Sequence, residues 1–291
     1  MDGLVRAIAD NAQLRCFAVK TTEMTEAARK AHNTSPVVTA ALGRLMSGAA
    51  MMASMMEDTP EGLLTLQIDG EGDVGGLVVT ADAHGHVKGY ARNPQAICPA
   101  SSAGKLDVGR IVGPGYLTVI RDTGNAEPYN SRIELVSGEI GDDLAQYFAV
   151  SEQVPSGVGL GVLMNRDNTV KVAGGFMIQL MPFASDECVS RLEEALSHIT
   201  SVTALLDTGI DPEEMLRTIL HDVDVEITGR SPVSFRCNCS RNRVEKALIS
   251  LGRSQLEELT SDTEPIEMKC QFCNTAYSFT PREIRELLTT L

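Results

Sequence analysis

Cys237-Asn238-Cys239 and Cys270-Gln271-Phe272-Cys273 gather four of the chain's seven cysteines near its C-terminus, as two tight pairs about thirty residues apart. Tetrahedral zinc takes four thiolates at ~2.3 Å, and two short pairs joined by a longer excursion bring four sulfurs to one point without a large core. The stretch predicts a small C-terminal four-cysteine zinc-binding domain, with Cys237, Cys239, Cys270 and Cys273 as ligands of one Zn²⁺ per chain. The single residue between Cys237 and Cys239 forces a sharp bend, and sulfurs that close also suit thiols that leave the metal to form a disulfide.

Working back from the cysteines, residues 231–291 carry as many acidic as basic side chains, so the net charge of −14 belongs to residues 1–230. DNA-binding zinc modules displace counterions with a basic face; this module is neutral before a four-thiolate zinc centre adds its own −2, which excludes nucleic acid as the expected partner. Arg236, Arg241, Arg243 and Lys269 flank the ligands and are read as offsetting that local charge. The absence of Trp and an aromatic content of 4% argue against a base-stacking surface. The start, MDGLVRAIAD, lacks the basic and apolar regions of a signal peptide, and the apolar stretch around Leu45 to Met56 reads as too short and interrupted to span a bilayer. These features predict a cytoplasmic protein without a membrane partner, in a compartment where cysteines are thiols or metal ligands.

Residues 183–230 read as helical. Val189, Leu192, Leu196, Ile199, Thr203 and Leu206 recur at three- and four-residue steps behind an N-cap at Ser185, and Asp211-Pro212-Glu213-Glu214 is a second helix start. Short helices with one apolar face need a neighbour, so this segment is expected to dock as a linker on the preceding core. The core, residues 1–182, alternates strand-like runs with glycine-rich turns: Gln13 to Lys20, Leu63 to Asp69, Gly76 to Asp82, His86 to Arg92, Tyr116 to Asp122, Arg132 to Val136, Gly157 to Met164 and Thr169 to Ile178. Helices are expected from Glu23 to Ala31 and from Pro36 to Met56. Turns too short for crossovers make the fold class α+β with a mostly antiparallel sheet core.

Other motifs carry less. Gly70-Glu71-Gly72-Asp73-Val74-Gly75 matches a dinucleotide fingerprint in letters, but a strand rather than a helix follows, and Glu71 and Asp73 would repel phosphate; a hairpin turn is the better reading. His84 and His86 read as surface turn residues, and no G-x-S-x-G elbow or other catalytic constellation is present, so no enzyme is expected. Met46, Met51, Met52, Met55 and Met56 crowd one helix; burial against the sheet is the stronger reading, with an adaptable surface for apolar partners as the other. Cys16, Cys98 and Cys188 are isolated thiols. From the cysteines alone, a purely structural zinc site leads over a redox switch, because most four-cysteine zinc sites are never switched.

The chain as a whole resembles the 33-kDa chaperonin family, the bacterial redox-regulated heat-shock holdases. The resemblance rests on C-x-C followed by C-x-x-C after a helical segment. It also rests on Pro36 to Met52 (PVVTAALGRLMSGAAMM), Gly104-Lys105-Leu106-Asp107-Val108 and Ser151-Glu152-Gln153-Val154-Pro155-Ser156. Ala173-Gly174-Gly175-Phe176, continuing to Gln179-Leu180-Met181-Pro182, completes the family order. It implies an ATP-independent chaperone that is inactive when reduced and zinc-bound, and is activated when Cys237 pairs with Cys239, Cys270 pairs with Cys273 and zinc leaves. It further implies unfolded client proteins as partners, homodimers on activation, thioredoxin- or glutaredoxin-type reductants, and hand-over to ATP-dependent foldases. Met51, Met55, Val189, Leu192, Leu196 and Ile199 are the candidate client-binding or linker surface. From another class, an interaction adaptor with a permanent structural zinc is the alternative, and a thiol oxidoreductase using Cys270 and Cys273 ranks below it.

Overall fold

Ser35 and Pro36 open the helix around which the first part of the chain is built. The Ser35 hydroxyl accepts the Val38 N–H at 3.3 Å, and Pro36 takes the first helical position, where its missing N–H is no loss. The computed structural model describes residues 1–59, 61–101, 104–124, 127–259 and 264–289. The chain divides into two compact units, Met1–Arg236 and Cys237–Leu291.

In the first unit, β1 (Gly3–Ala9) and β2 (Leu14–Lys20) lead into α1 (Thr22–His32) and the central α2 (Pro36–Ala53). Then come β3 (Leu63–Gly70), β4 (Leu77–Asp82), β5 (His86–Ala91), α3 (Val108–Val112), β6 (Gly115–Asp122) and β7 (Tyr129–Glu134). A short helix α4 (Gly141–Tyr147) runs into a π-helical turn, Phe148–Glu152, before β8 (Ser156–Met164) and β9 (Val170–Leu180). Helices α5 (Asp186–Ser197), α6 (Val202–Asp207) and α7 (Pro212–Ile219) precede β10 (Val225–Pro232) and the two-residue β11 (Ser234–Phe235).

The strands form two sheets, one ordered β10-β1-β2-β9-β8 and one ordered β11-β5-β4-β3-β6-β7, antiparallel throughout except for the β11–β5 pair. The α+β class with antiparallel sheets is as the sequence predicts. α2 lies between the sheets and packs on strands of both. Its length and composition would suit a membrane span, contrary to the sequence estimate; its 89% burial marks it as a core helix. Small residues let it approach: a Cβ on Gly43 would meet Thr25 Cγ2 at 2.5 Å and Val162 Cγ2 at 2.9 Å. Leu42, Leu45, Met46, Met51 and Met52 fill one continuous core with Leu64, Leu66, Val79, Val119 and Met177. Met51 is fully buried there, so it offers no surface in the folded chain.

The first sheet is buried on both faces. On β2, Phe17 and Val19 join the core around α2, while Cys16 and Ala18 face the opposite side. That side is covered by Cys188 and Leu192 of α5, Leu206 of α6 and Met215, Leu216 and Ile219 of α7. The helical segment therefore closes the sheet, and its helices are capped by Ser185, Ser201 and Asp211. It ends sooner than residue 230, because Val225–Pro232 is an edge strand paired with β1. Both mouths of the segment are tied to one turn, Asp10-Asn11-Ala12, whose φ values of 51°, 55° and 62° are all left-handed. Met181 N–H donates to Gln13 O at 2.9 Å, Asp10 N–H donates to Asp224 O at 3.2 Å, and Arg191 pairs with Asp10 at 2.6 Å.

β8 lays a flat bed under α5 and α6. A Cβ on Gly157 would meet Leu196 Cδ1 at 2.5 Å, one on Gly159 would meet Phe176 Cε1 at 2.4 Å and Val202 Cγ2 at 2.9 Å, and one on Gly161 would meet Thr203 Cγ2 at 2.7 Å. Alternate positions on a strand share a face, so this run is read as packing rather than phosphate binding. Gly70 to Gly75 likewise lies between β3 and β4 of one antiparallel hairpin.

The second unit is small: α8 (Arg241–Ser250), α9 (Arg253–Leu259), the hairpin β12 (Ile266–Lys269) and β13 (Ala276–Phe279), and α10 (Pro281–Leu288). Among the described residues its fully enclosed apolar side chains are Leu248, Leu256, Phe279 and Ile284. So thin a core does not hold a domain of this size by itself.

Candidate metal centre

Two local structures deliver the four sulfurs. Ser240 caps α8 by accepting the Arg243 N–H, which sets the direction of the chain just after Cys237 and Cys239. Cys270 and Cys273 occupy the turn of the β12–β13 hairpin, where Cys270 N–H donates to Thr275 O at 3.0 Å and Asn274 N–H to Cys270 O at 2.7 Å. Asn274 takes the left-handed conformation at φ 59°, a position asparagine tolerates better than most residues.

All four Sγ atoms lie within 4.8 Å of one another. Cys237 Sγ is 3.7 Å from Cys270 Sγ, and Cys239 Sγ is 3.4 Å from Cys273 Sγ. Sulfurs at the corners of a tetrahedron with ~2.3 Å metal bonds stand ~3.8 Å apart, so the spacing matches a closed four-thiolate site. Four negative sulfurs at this distance repel one another unless a cation sits among them, so the donor set fits a soft divalent metal.

Hydrogen bonds reach the sulfurs from outside. Tyr277 Oη lies 3.1 Å from Cys239 Sγ, and Thr275 Oγ1 lies 3.2 Å from Cys273 Sγ. As free thiols the members differ. Burial, with the neighbouring thiols, pushes Cys237 up to about 12, and burial also raises Cys270. Burial acts upward on Cys273 too, but hydrogen bonds from Thr275, Cys239 and Cys237 outweigh it and hold that thiol at about 7. The Tyr277 phenol, bonded to Cys239, is raised to about 12 and stays a proton donor. Sequence reading missed Thr275 and Tyr277; their only signal was a hydroxyl two and four residues beyond Cys273, the first just before β13 and the second on it.

Three of the flanking cations have other partners. Arg241 pairs with Glu283 at 2.6 Å and lies over the Phe279 ring, Lys269 pairs with Glu267 at 3.2 Å, and Arg236 Nη1 is 2.9 Å from His86 Nε2. His86 is also held by Asp82, so the hairpin histidine is a surface-network residue. Among the described residues, the four cysteines are the only cluster of potential metal ligands.

Comparison with known proteins agrees over the full length. The model of the Hsp33 protein family matches residues 2–280. The chain belongs to the Hsp33 family. It is 54% identical over 288 residues to the 33 kDa chaperonin of Lachnoclostridium phytofermentans, covering 99% of this chain and 98% of that one. It is 52% identical to the 33 kDa chaperonin of Agathobacter rectalis, covering 98% and 99%. The crystal structure of the 33 kDa chaperonin (heat shock protein 33 homolog) from Thermotoga maritima superposes with a TM-score of 0.91 at 34% identity, covering 99% of this chain and 98% of that one. Hsp33 proteins are chaperones, which makes unfolded proteins the partner class.

Against that family background, the candidate surface residues divide. Leu192 is buried and Leu196 and Ile199 are half-buried, all packed against the first sheet; Val189 is half-buried. Met55 is half-buried just past the end of α2, and Met51 is interior. The remaining cysteines are quiet: burial, with nearby groups, raises Cys16 to about 12 and Cys188 to about 11, and also raises Cys98.

Proposed function

We propose that this Hsp33-family chain is a redox-switched, ATP-independent holdase. In this reading Cys237, Cys239, Cys270 and Cys273 hold one Zn²⁺ in the reduced, inactive form. Zinc bound by these thiolates supplies folding free energy, ~10–16 kcal/mol in small metal modules, and keeps the sulfurs deprotonated. Oxidation to Cys237–Cys239 and Cys270–Cys273 disulfides removes the donors and releases the metal. All four sulfurs are mutually close, so proximity does not select the pairing; the sequence-local pairs follow from the family resemblance.

The observation that carries the reading is the four-sulfur cluster inside a unit whose enclosed core, among the described residues, is four side chains. A unit so dependent on its metal melts when the donors are consumed. The proposed consequence is release of α5–α7, which exposes Leu192, Leu196, Ile199 and the sheet face beneath them to unfolding clients. The functional segments are then a core in residues 1–182, a linker in 183–230 whose last strand belongs to the sheet, and a switch in 231–291. The −14 charge keeps the opened form soluble. Dimerisation on activation, reactivation by thioredoxin- or glutaredoxin-type reductants, transfer to ATP-dependent foldases and a cytoplasmic location complete the proposal.

The test measures zinc content and suppression of a heat-unfolding client's aggregation before and after peroxide at elevated temperature. The expected result is about one zinc per chain without protection before treatment, and zinc loss with protection after it. Zinc retained with unchanged behaviour would overturn the switch and leave an adaptor with a permanent structural zinc.

A further inference from the structure

Two of the sequence segments quoted above, Ser151 to Ser156 and Gln179 to Pro182, meet at a place the cysteine centre does not use. There the first unit encloses a cavity of ≈ 200 Å³ with Met52, Met55, Met56 and Phe148 in its lining. Arg15, Arg121 and Glu152 line it as well, and their charges do not balance. Arg121 Nη2 donates to Glu152 Oε1 at 2.7 Å, and the same oxygen accepts the Tyr147 phenol. Arg15 donates Nε and Nη2 to a neutral acceptor, Gln179 Oε1, at 3.0 and 2.6 Å. Gln179 is fully buried and donates in turn to Ser156 Oγ at 3.1 Å, which fixes the guanidinium. Two cations therefore share one carboxylate. Burial and then the Arg121 charge pull the Arg15 guanidinium below its ordinary value, and Glu152 only partly offsets them. The lining reaches solvent, since the Arg121 side chain is 30% exposed and that of Glu152 22%. One π-helical turn carries both Phe148 and Glu152, and such turns recur at functional sites.

We propose that this cavity binds a carboxylate joined to a compact apolar group, the carboxylate on Arg15 and Arg121 and the apolar group among the methionines and Phe148. The proposal stands apart from the redox reading: among the described residues no cysteine lines the cavity. A half-buried cation bonded only to a neutral amide is poorly compensated, and an entering carboxylate supplies the missing charge in the planar, two-bond geometry that guanidinium favours. Methionine is flexible and polarizable, so the lining adapts to an aryl or a branched alkyl group. Benzene fits a cavity of ~150 Å³, which leaves room here for a phenyl-sized group and its carboxylate. A bare inorganic anion would leave the apolar lining in contact with water, so the site selects against it. Free aryl or branched-alkyl acids and the C-terminal residue of a polypeptide share the chemistry the site recognises.

The probe is 3-phenylpropionate, added to the full chain, reduced and supplied with zinc, with titration calorimetry for affinity and methionine-methyl NMR for location. Binding should fall at a Kd of ~0.1–1 mM, with shifts at the Met55 and Met56 methyls. The neutral 3-phenylpropionamide should bind at least ~10-fold more weakly. Arg15→Met should weaken the acid ~10- to 100-fold and leave the amide unchanged. Glu152→Gln keeps an acceptor for Arg121 and Tyr147 while removing the competing charge, so the acid should bind ~3- to 10-fold tighter; a role confined to folding gives no such gain. The two sources are separated by a short peptide ending in a free phenylalanine carboxylate, set beside its C-terminal amide. Displacement of the probe by the acid peptide alone assigns chain ends, and displacement by neither assigns free acids. An amide that matches its acid, shifts confined to other methionines, no binding at ~10 mM, or a Glu152→Gln that folds and does not tighten each overturns the proposal. The wild-type contrast of acid with amide decides even where a variant fails to fold.

Discussion

Replacing Gly161 with Ala should loosen the helical segment without touching a cysteine. The added Cβ would lie 2.7 Å from Thr203 Cγ2, 3.2 Å from Thr203 N and 3.4 Å from Val202 Cβ, so the first turn of α6 must move, backbone included. Overpacking of a fitted contact costs ~1–3 kcal/mol. With a factor of ten for each 1.4 kcal/mol, the undocked population of α6 should rise ~5- to 150-fold. Global stability should change much less. The backbone of Gly161 lies outside the left-handed region, and Gly→Ala at a compatible position returns ~0.4–1 kcal/mol through the unfolded chain. Hydrogen exchange of peptides spanning α5 and α6 in the reduced, zinc-loaded protein measures the local change, and a urea midpoint measures the global one. Gly157→Ala is the internal control, because its Cβ meets only the tip of Leu196, which can rotate aside. Exchange in α6 that is unchanged in Gly161→Ala, or equal in the two variants, would refute the argument that β8 is flat in order to seat the helices.

If the site holds zinc as proposed, withdrawing it with a chelator under reducing conditions should unfold the C-terminal unit and release α5–α7 while sparing β1–β9, because Leu248, Leu256, Phe279 and Ile284 are a small core and bound zinc would supply ~10–16 kcal/mol. Amides of 237–289 should lose protection while β1–β9 keep theirs; a protected, chelator-treated α10 would refute it. Cys270→Ser should lose controlled switching, and a variant that still keeps zinc and still needs peroxide for activity would contradict the site. Glu26 accepts Arg29 Nε and Nη2 at 2.7 and 2.8 Å and the Val170 N–H at 3.0 Å, and chiefly the Arg29 hydrogen bonds hold its carboxyl at about 2 against an ordinary 4.5. A depressed carboxyl contributes stability above its unfolded value and loses it as pH falls through the folded one. The wild type's advantage over Glu26→Gln in urea midpoint should therefore be full above pH 4.5 and fade towards pH 2. A pH-independent difference would show that the ion pair is not its source.

The cysteine ligands were legible because their chemistry demands their spacing, and the central helix because Ser35-Pro36 announces it. Other elements carry weaker signals. β7 spans Tyr129–Glu134 rather than Arg132 to Val136, since its position is set by pairing Glu134 with Tyr116, which no local pattern encodes. α4 begins behind Ile140 at φ 68°, and its first turn is organised by the buried Asp143 carboxylate, which accepts the N–H groups of Val136, Ser137, Gly138 and Ile140; a cap supplied from inside the helix leaves no Ser or Thr to find. β1 and β10 were overlooked because Arg6 breaks the apolar run of GLVRAIA, and VEITGRSP carries Glu226 and Arg230 and a glycine within it and ends on Pro232. Tyr277 gains its meaning only from the register of β12 on β13, and Thr275 from the turn that Cys270 N–H closes on its carbonyl.

The left-handed turn at Asp10-Asn11-Ala12 gives the helical segment a drawstring. Met181 and Asp224, its two ends, are fastened to Gln13 and Asp10 of that one turn, so residues 181–224 form a closed loop in the folded chain. An opened loop of this kind has no free end to wander, and the entropy of its closure grows only as the logarithm of its length. Its return to the sheet is intramolecular, at the high local concentration that short tethers impose. In the proposed switch, the segment would therefore return to the sheet as a loop tethered at Asp10 and Gln13 rather than as a loose tail.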